Sequence, residues 1–297
     1  MSHDQAGAVS SWDHSVVPVV DLWRAERFYT EILDGAIFQK VGMTFRHEDT
    51  SRSGATFIDP PGAFVKLGRH HLGLFLQRET PVYPADAVGD AYPCWALTVA
   101  AEDIPDILAR FKDSGSTIGP EQLERYGEMS WRTIRCTDSE GNCLELVADD
   151  RGRYHNRMVT GLSHMHFETV DLPGTVEFYT HTLGMPVLDS SPDHAAFESG
   201  DGQGLVFHRV ARLSPSSVGP YHGRHFAFTV EPEAFHAIVS RLRAAAIEEG
   251  DALGRAIPGE LDSYFSDPVN NSLWLQIQNK DSEQSAAGRA RLKYAAA

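Results

Sequence analysis

The sequence predicts an α+β fold of four tandem βαβββ units, paired two by two into domains with cup-shaped mixed sheets. Three observations carry that prediction. His14 is followed seven residues on by Asp21 and then by Phe28-Tyr29, and His164 is followed in the same way by Asp171 and Phe178-Tyr179. The stretch CWALTV at 94–99 lies on HFAFTV at 225–230, and each leads to D-x-x-x-N before an L-x-L strand. Closing strands with L-x-L or a near variant recur four times, at 74–76, 144–146, 205–207 and 273–275. Each unit alone would leave one sheet face bare, so the units must pair and curl around shared cavities.

The unit is clearest at residues 161–185. His164, His166 and Glu168 alternate with Met165, Phe167 and Thr169, and a period of two is that of a strand. Asp171-Leu172-Pro173-Gly174 breaks the strand, and Val176, Tyr179 and Leu183 then form one helical stripe over 175–183, with Gly184 at the stop. The first unit opens with a strand at 14–20 and a helix near 23–33, with further strands around 36–41, 54–58 and 71–77. A Pro-rich link at 80–93 leads to the second unit, which has a helix at 104–114 and closes over 133–147. The polar joint at 149–158 is the predicted domain boundary, and the third unit then closes at 204–210. The fourth has a helix at 233–245 and closes over 264–278. The expected division is a flexible 1–10, a first domain at 11–150, a second at 158–280 and a polar tail at 281–297. Exchange between domains would instead set the first unit against the fourth, bringing His14 near His225 and Glu145 near His164.

Composition narrows the function classes. A chain of 297 residues, 42% hydrophobic and 23% charged, has the profile of a soluble protein with room for two cores. A net charge of -15 argues against nucleic acid as partner, because phosphate contacts need clustered Lys and Arg. No apolar run approaches a membrane span, and residues 1–10 lack a signal-peptide layout. Three cysteines (Cys94, Cys136, Cys143) are too few for a disulfide framework and fit a cytoplasmic location. Cys136 and Cys143 could face each other across a hairpin, but free buried thiols are the favoured reading. Exposed sheet edges leave a homo-oligomer open, with the oligomeric state undetermined by the sequence.

The repeated units resemble the vicinal oxygen chelate superfamily, which includes glyoxalases, bleomycin resistance proteins and extradiol dioxygenases. The resemblance covers roughly residues 12–280, and the four-unit arrangement is similar to two-domain ring-cleaving dioxygenases. It implies a divalent metal in the cup, with ligands from the opening and closing strands of the units. The opening strands supply His14, Cys94, His164 and His225, and the closing strands supply Phe75, Glu145, Val206 and Trp274. On that reading His164 and His225 hold Fe(II), a set of ligands that leaves positions open for substrate and dioxygen. Trp274 stands where the carboxylate belongs, so the third ligand falls to Gln276, to a nearby acid (Glu260 or Asp262) or to water. His14 with Glu145 is the fallback metal pair. The resemblance further implies an acid-base role for His208 and a substrate-orienting role for Tyr264. His166 is expected as a neighbouring or substrate-contacting group, and Trp274 as a stacking wall. The implied activity is extradiol cleavage of a catechol-like aromatic. Two other readings stay open: a metal-free binding protein for an aromatic ligand, and a glyoxalase-type metal-dependent lyase or isomerase that uses His14 and Glu145.

Overall fold

The structure, a computed structural model, describes residues 9–41, 62–76, 92–213, 225–250, 262–269 and 274–281. The first unit contains β1 (Val9–Val19), α1 (Leu22–Arg27), β2 (Ala36–Val41), β3 (Gly62–Leu67) and β4 (His70–Leu76). The second contains β5 (Cys94–Ala100), α2 (Ile104–Asp113), β6 (Ile118–Tyr126), β7 (Met129–Thr137) and β8 (Cys143–Asp149). The third contains β9 (Val159–Thr169), α3 (Leu172–Glu177), β10 (Val187–Ser190), β11 (His194–Glu198) and β12 (Gly204–Arg209). The fourth contains β13 (His225–Val230), α4 (Pro232–Ala244), β14 (Glu249–Gly250), β15 (Asp262–Ser266) and β16 (Trp274–Asn279). Every unit is therefore βαβββ, as its sequence repeat predicts. The strand expected at 54–58 and most of the tail lie outside the described residues.

The helices start where the chain supplies a cap. Asp21 accepts from the Arg24 amide to open α1, and Asp171 accepts from the Gly174 amide to open α3. Pro173 stands in the first turn of α3, where its missing N–H costs nothing, so the helix begins at Leu172 and not after Gly174. Both helices run on into a π-helical turn, Phe28–Ile32 and Phe178–Thr182. Gly184 ends the second of these with a φ of 74°.

The strands form two eight-stranded mixed sheets, ordered β14-β15-β16-β13-β1-β4-β3-β2 and β10-β11-β12-β9-β5-β8-β7-β6. The first sheet joins units one and four through the antiparallel pair β1–β13, and the second joins units two and three through β9–β5. This corrects the expected pairing of consecutive units. The joint after β8 explains it: β9 pairs antiparallel with β5, which is itself parallel to β8. The joint thus closes on the same sheet. It turns through His155 and Asn156, both at positive φ, with Tyr154 and Arg157 bridged. The expected boundary therefore lies within one sheet, and the links from unit one to two and from three to four are the ones that cross.

Consecutive units still touch, through their helices and turns. Tyr29 donates to Asp138 at 2.9 Å, and Tyr179 donates to Asp267 at 3.0 Å. Phe28 packs edge-on to Phe111. One face of each sheet feeds a continuous apolar core, with Leu72, Leu74, Phe226, Phe228, Leu275 and Ile277 from the first and Leu144, Leu146, Phe167 and Phe207 from the second. The opposite faces carry the polar side chains. Among the described residues no helix is long and apolar enough to cross a membrane.

Candidate functional site

Strand register identifies the four ligand slots. Glu145 pairs with Ala96, two residues after Cys94, and Gln276 pairs with Ala227, two residues after His225. Val206 pairs with His166, two after His164, and Gly73 pairs with Val16, two after His14. The closing slots are therefore Gly73, Glu145, Val206 and Gln276. Phe75 and Trp274, taken from the L-x-L alignment, are each two residues out of register; Trp274 pairs with His225 and corresponds to Cys143. The chain spends two more residues between Asp267 and Gln276 than between Asp138 and Glu145. Alternating strands conceal such a slip, because a shift of two keeps the same face.

The first sheet's cup brings together His14, His225 and Gln276. The two Nε2 atoms face each other at 3.1 Å although 211 residues separate them in the chain. Asp13 Oδ1 lies 2.8 Å from His14 Nδ1, which holds the ring and directs Nε2 into the cup. Tyr264, beside Gln276 on the next strand, stacks on the His225 ring at 5.8 Å between centroids. Gln276 is fully buried, and its amide lies close enough to His225 to favour the charged ring but outside hydrogen-bonding geometry. Burial, with His14 adding to it, lowers the His225 pKa to about 3. At the fourth slot a Cβ on Gly73 would meet the Phe75 and Phe64 rings at 2.7 and 3.1 Å. Phe64 also lies edge-on to His14 at 5.6 Å. The cup thus has two imidazoles, one amide and an aromatic wall.

The second sheet's cup holds the remaining site residues. His164 Nε2 lies 2.9 Å from His166 Nε2, and His166 Nδ1 lies 2.9 Å from His208 Nε2. Glu145 approaches His164 at 3.3 Å and His166 at 3.5 Å. Burial alone would raise the Glu145 pKa, but the imidazoles of His166 and His164 outweigh it and hold the carboxyl well below its usual range. Burial, with His166 and Arg135 adding to it, lowers His208 to about 2. Cys143 faces Cys94 on the neighbouring strand at 2.7 Å between sulfurs, not Cys136, and all three cysteines are free.

The expected groupings are redistributed accordingly. His164 and His225 stand in different sheets and share no site. The fallback pair His14 and Glu145 is split in the same way, and so are His208 and Tyr264. His166 sits inside the second cup and bridges His164 to His208. Glu260 and the Trp274 side chain lie outside what is described. The sequence reading missed Asp13, Glu124 and Arg135. A signal for Arg135 was present, a lone cation in the apolar strand TIRCT, since a buried charge requires a partner.

A profile of the Glyoxalase/Bleomycin resistance protein/Dioxygenase superfamily matches residues 11–146 and 161–275. A metallothiol transferase FosB from Staphylococcus haemolyticus is 25% identical over 118 residues, 40% of this chain and 84% of that protein. A putative dioxygenase from Bacillus subtilis superposes with a TM-score of 0.64 at 12% identity, covering 92% of this chain and 86% of that one. Glyoxalase I from Zea mays superposes at 0.58 with 16% identity, covering 96% and 94%. The architecture is common to both structures, and the sequence profile spans both halves of the chain. The chain belongs to the Glyoxalase/Bleomycin resistance protein/Dioxygenase superfamily.

Proposed function

We propose that the protein is a divalent-metal enzyme of the extradiol dioxygenase type, with its site in the cup of the first sheet and a catechol-like aromatic as substrate. The observation that carries this reading is the facing pair His14 and His225, with the buried, unbonded amide of Gln276 in the adjoining ligand slot. The residues fit an iron(II) ion: two imidazoles and one amide oxygen are donors such a metal accepts, and they leave several positions free. When bound, the metal supplies a Lewis acid for two neighbouring substrate oxygens and a redox centre for dioxygen.

The chain's own residues account for the rest. Asp13 holds the His14 ring through Nδ1, which turns Nε2 inward. Tyr264, stacked on His225, would donate to a substrate hydroxyl. Phe64 and Phe75 form an apolar wall against which an aromatic ring can lie. His208 belongs to the other cup and takes no part here. Oxygen uptake by the iron-loaded protein with catechols and hydroquinones tests the proposal. Uptake should be abolished by His14→Ala and by His225→Ala, and Tyr264→Phe should lower turnover while leaving metal content unchanged. Isomerisation of a thiol-aldehyde adduct without oxygen uptake would support the glyoxalase-type reading. Binding of aromatics by a protein that takes up no metal would support the sequestering one.

A further inference from the structure

We propose that the outer half of the β6–β7 hairpin, residues 123–132, is a lid over the second cup that opens on its own and is latched at its tip by Asp189. β8 supports β7 only from Thr133 to Thr137. Beyond Thr133 the hairpin is two strands wide, from the pair Leu123–Arg132 to the pair Tyr126–Met129, and β6 is the edge of the sheet. A ribbon of two strands is marginal unless it packs on a further element. Tyr126 is the single buried residue within it. A register shift between Ile118 and Glu121 puts a bulge in β6 close to where the support of β8 ends, and a bulge bends the strand that carries it.

The ribbon curls across the cup and reaches β10, the opposite edge of the same sheet. Gly127 has a φ of 61°, and a Cβ there would come within 2.5 Å of the Leu188 carbonyl oxygen. The neighbouring Asp189 carboxylate lies 3.0 Å from His194 Nε2 and also accepts from the Gly127 amide. Together, with His194 the larger influence, they hold the Asp189 carboxyl below its usual range. Tyr126 packs on Ala196 and Val206 and lies edge-on to His194 at 5.3 Å between centroids. Further in, Trp131 stacks on His164 at 4.6 Å, and Glu124 pairs with Arg135 at 3.3 Å.

Beneath the ribbon, Glu145, His164 and His166 have no exposed surface. Admitting a solute to them requires part of the cover to move. The outer hairpin is a cover held by few buried contacts, whereas β9 and β5 are paired on both sides within the sheet. Segments with little buried packing open at a lower free energy than the strands they rest on. The tip contacts with β10 therefore set how often the cup is open.

Thiol labelling and hydrogen exchange of the full chain test this. Val206→Cys sets a thiol directly beneath Tyr126, and Cys136, buried in the apolar core, is the control. Alkylation by iodoacetamide, located by mass spectrometry, should be at least about tenfold faster at position 206 than at Cys136. Adding Asp189→Ala should speed position 206 a further threefold or so and leave Cys136 unchanged. Gly127→Ala, which drives the tip off Leu188, should act in the same direction. In the chain without the reporter thiol, amides paired across 123–132 should exchange about tenfold faster than those of Thr133–Thr137, and Asp189→Ala should accelerate the first group alone. Labelling at position 206 that neither variant changes, or that rises in step with Cys136, would overturn the lid. Equal acceleration of both groups of amides by Asp189→Ala would overturn it as well.

Discussion

At the scale of single residues, the two cups differ most at one position. Gln276 and Glu145 hold equivalent ladder positions, yet one is a neutral amide and the other an anion. A carboxylate oxygen carries charge to a divalent ion where an amide offers only a dipole, so Gln276→Glu should tighten iron(II) binding in the first cup by about tenfold or more. An affinity unchanged or weakened in calorimetry would show that Gln276 does not face the ion. Buried His70 makes a second residue-level case. It is bonded to Ser15 Oγ at 2.8 Å, and burial, reinforced by His71 and His14, lowers its pKa to about 3. The unfolded chain takes up a proton below about pH 6.5 that the folded state refuses, so this contribution is present above that pH and lost as pH falls toward 3. The stability penalty of His70→Gln should therefore shrink by about 2 kcal/mol between pH 7 and pH 5, measured by urea unfolding. A penalty independent of pH would mean that His70 titrates normally in the fold. The important histidines were legible in the sequence from their matching places in the repeat. Their partners were not, because each partner comes from a unit that local periodicity does not specify.

At the scale of elements, the turns before the closing strands are fastened from another unit. Asp138 accepts from the Glu140 and Asn142 amides and from Tyr29, and Asp267 accepts from the Val269 amide and from Tyr179. Burial and the nearby Asp267 carboxylate raise the Tyr179 pKa well above its usual value, which keeps its hydroxyl a donor. Losing a buried bond to a charged acceptor costs about 1.5–3 kcal/mol. Tyr179→Phe should be destabilised by about that amount, and, since the Asp267 turn leads into β16, it should also weaken metal binding by the first cup. Wild-type stability in denaturant melts would remove this tie from the account. Element type was readable from alternation in the strands, but the third helix was expected only from residue 175, whereas Asp171 caps it and it begins at Leu172. The closing-strand register was not readable. Leu72, Leu74 and Leu76 make L-x-L match in two places, and Leu275 with Ile277 continues the pattern past Leu273. Only the hydrogen-bonded ladder decides between them.

At the scale of the whole molecule, each sheet is built from both halves of the chain, and two reciprocal contacts lock the sheets together. Gly68, between β3 and β4, sits at a φ of 58°, and a Cβ there would come within 2.2 Å of the Thr160 carbonyl oxygen on β9. Gly200, between β11 and β12, sits at a φ of 84°, and a Cβ there would come within 1.9 Å of the Ser10 carbonyl oxygen on β1. Arg69 also donates its amide to Thr160 at 3.0 Å, and Trp12 donates its indole N–H to Ser199 at 2.6 Å. Gly200→Ala combines backbone strain of about 1–2 kcal/mol with a main-chain clash. It should lower the melting temperature by several degrees, and an unchanged melt would discount the contact. Such contacts join residues far apart in the chain, 187 positions for Trp12 and Ser199, which is why the exchanged pairing was only one of two arrangements the repeat allowed. The account's central claim is that this exchange makes a metal site from His14 and His225. Anomalous scattering at the iron edge, from crystals grown anaerobically with iron(II), tests it most directly. The account predicts a peak about 2 Å from both Nε2 atoms, next to the Gln276 amide. Iron bound by His225 together with His164, or a first cup with no peak at full iron loading, would contradict it.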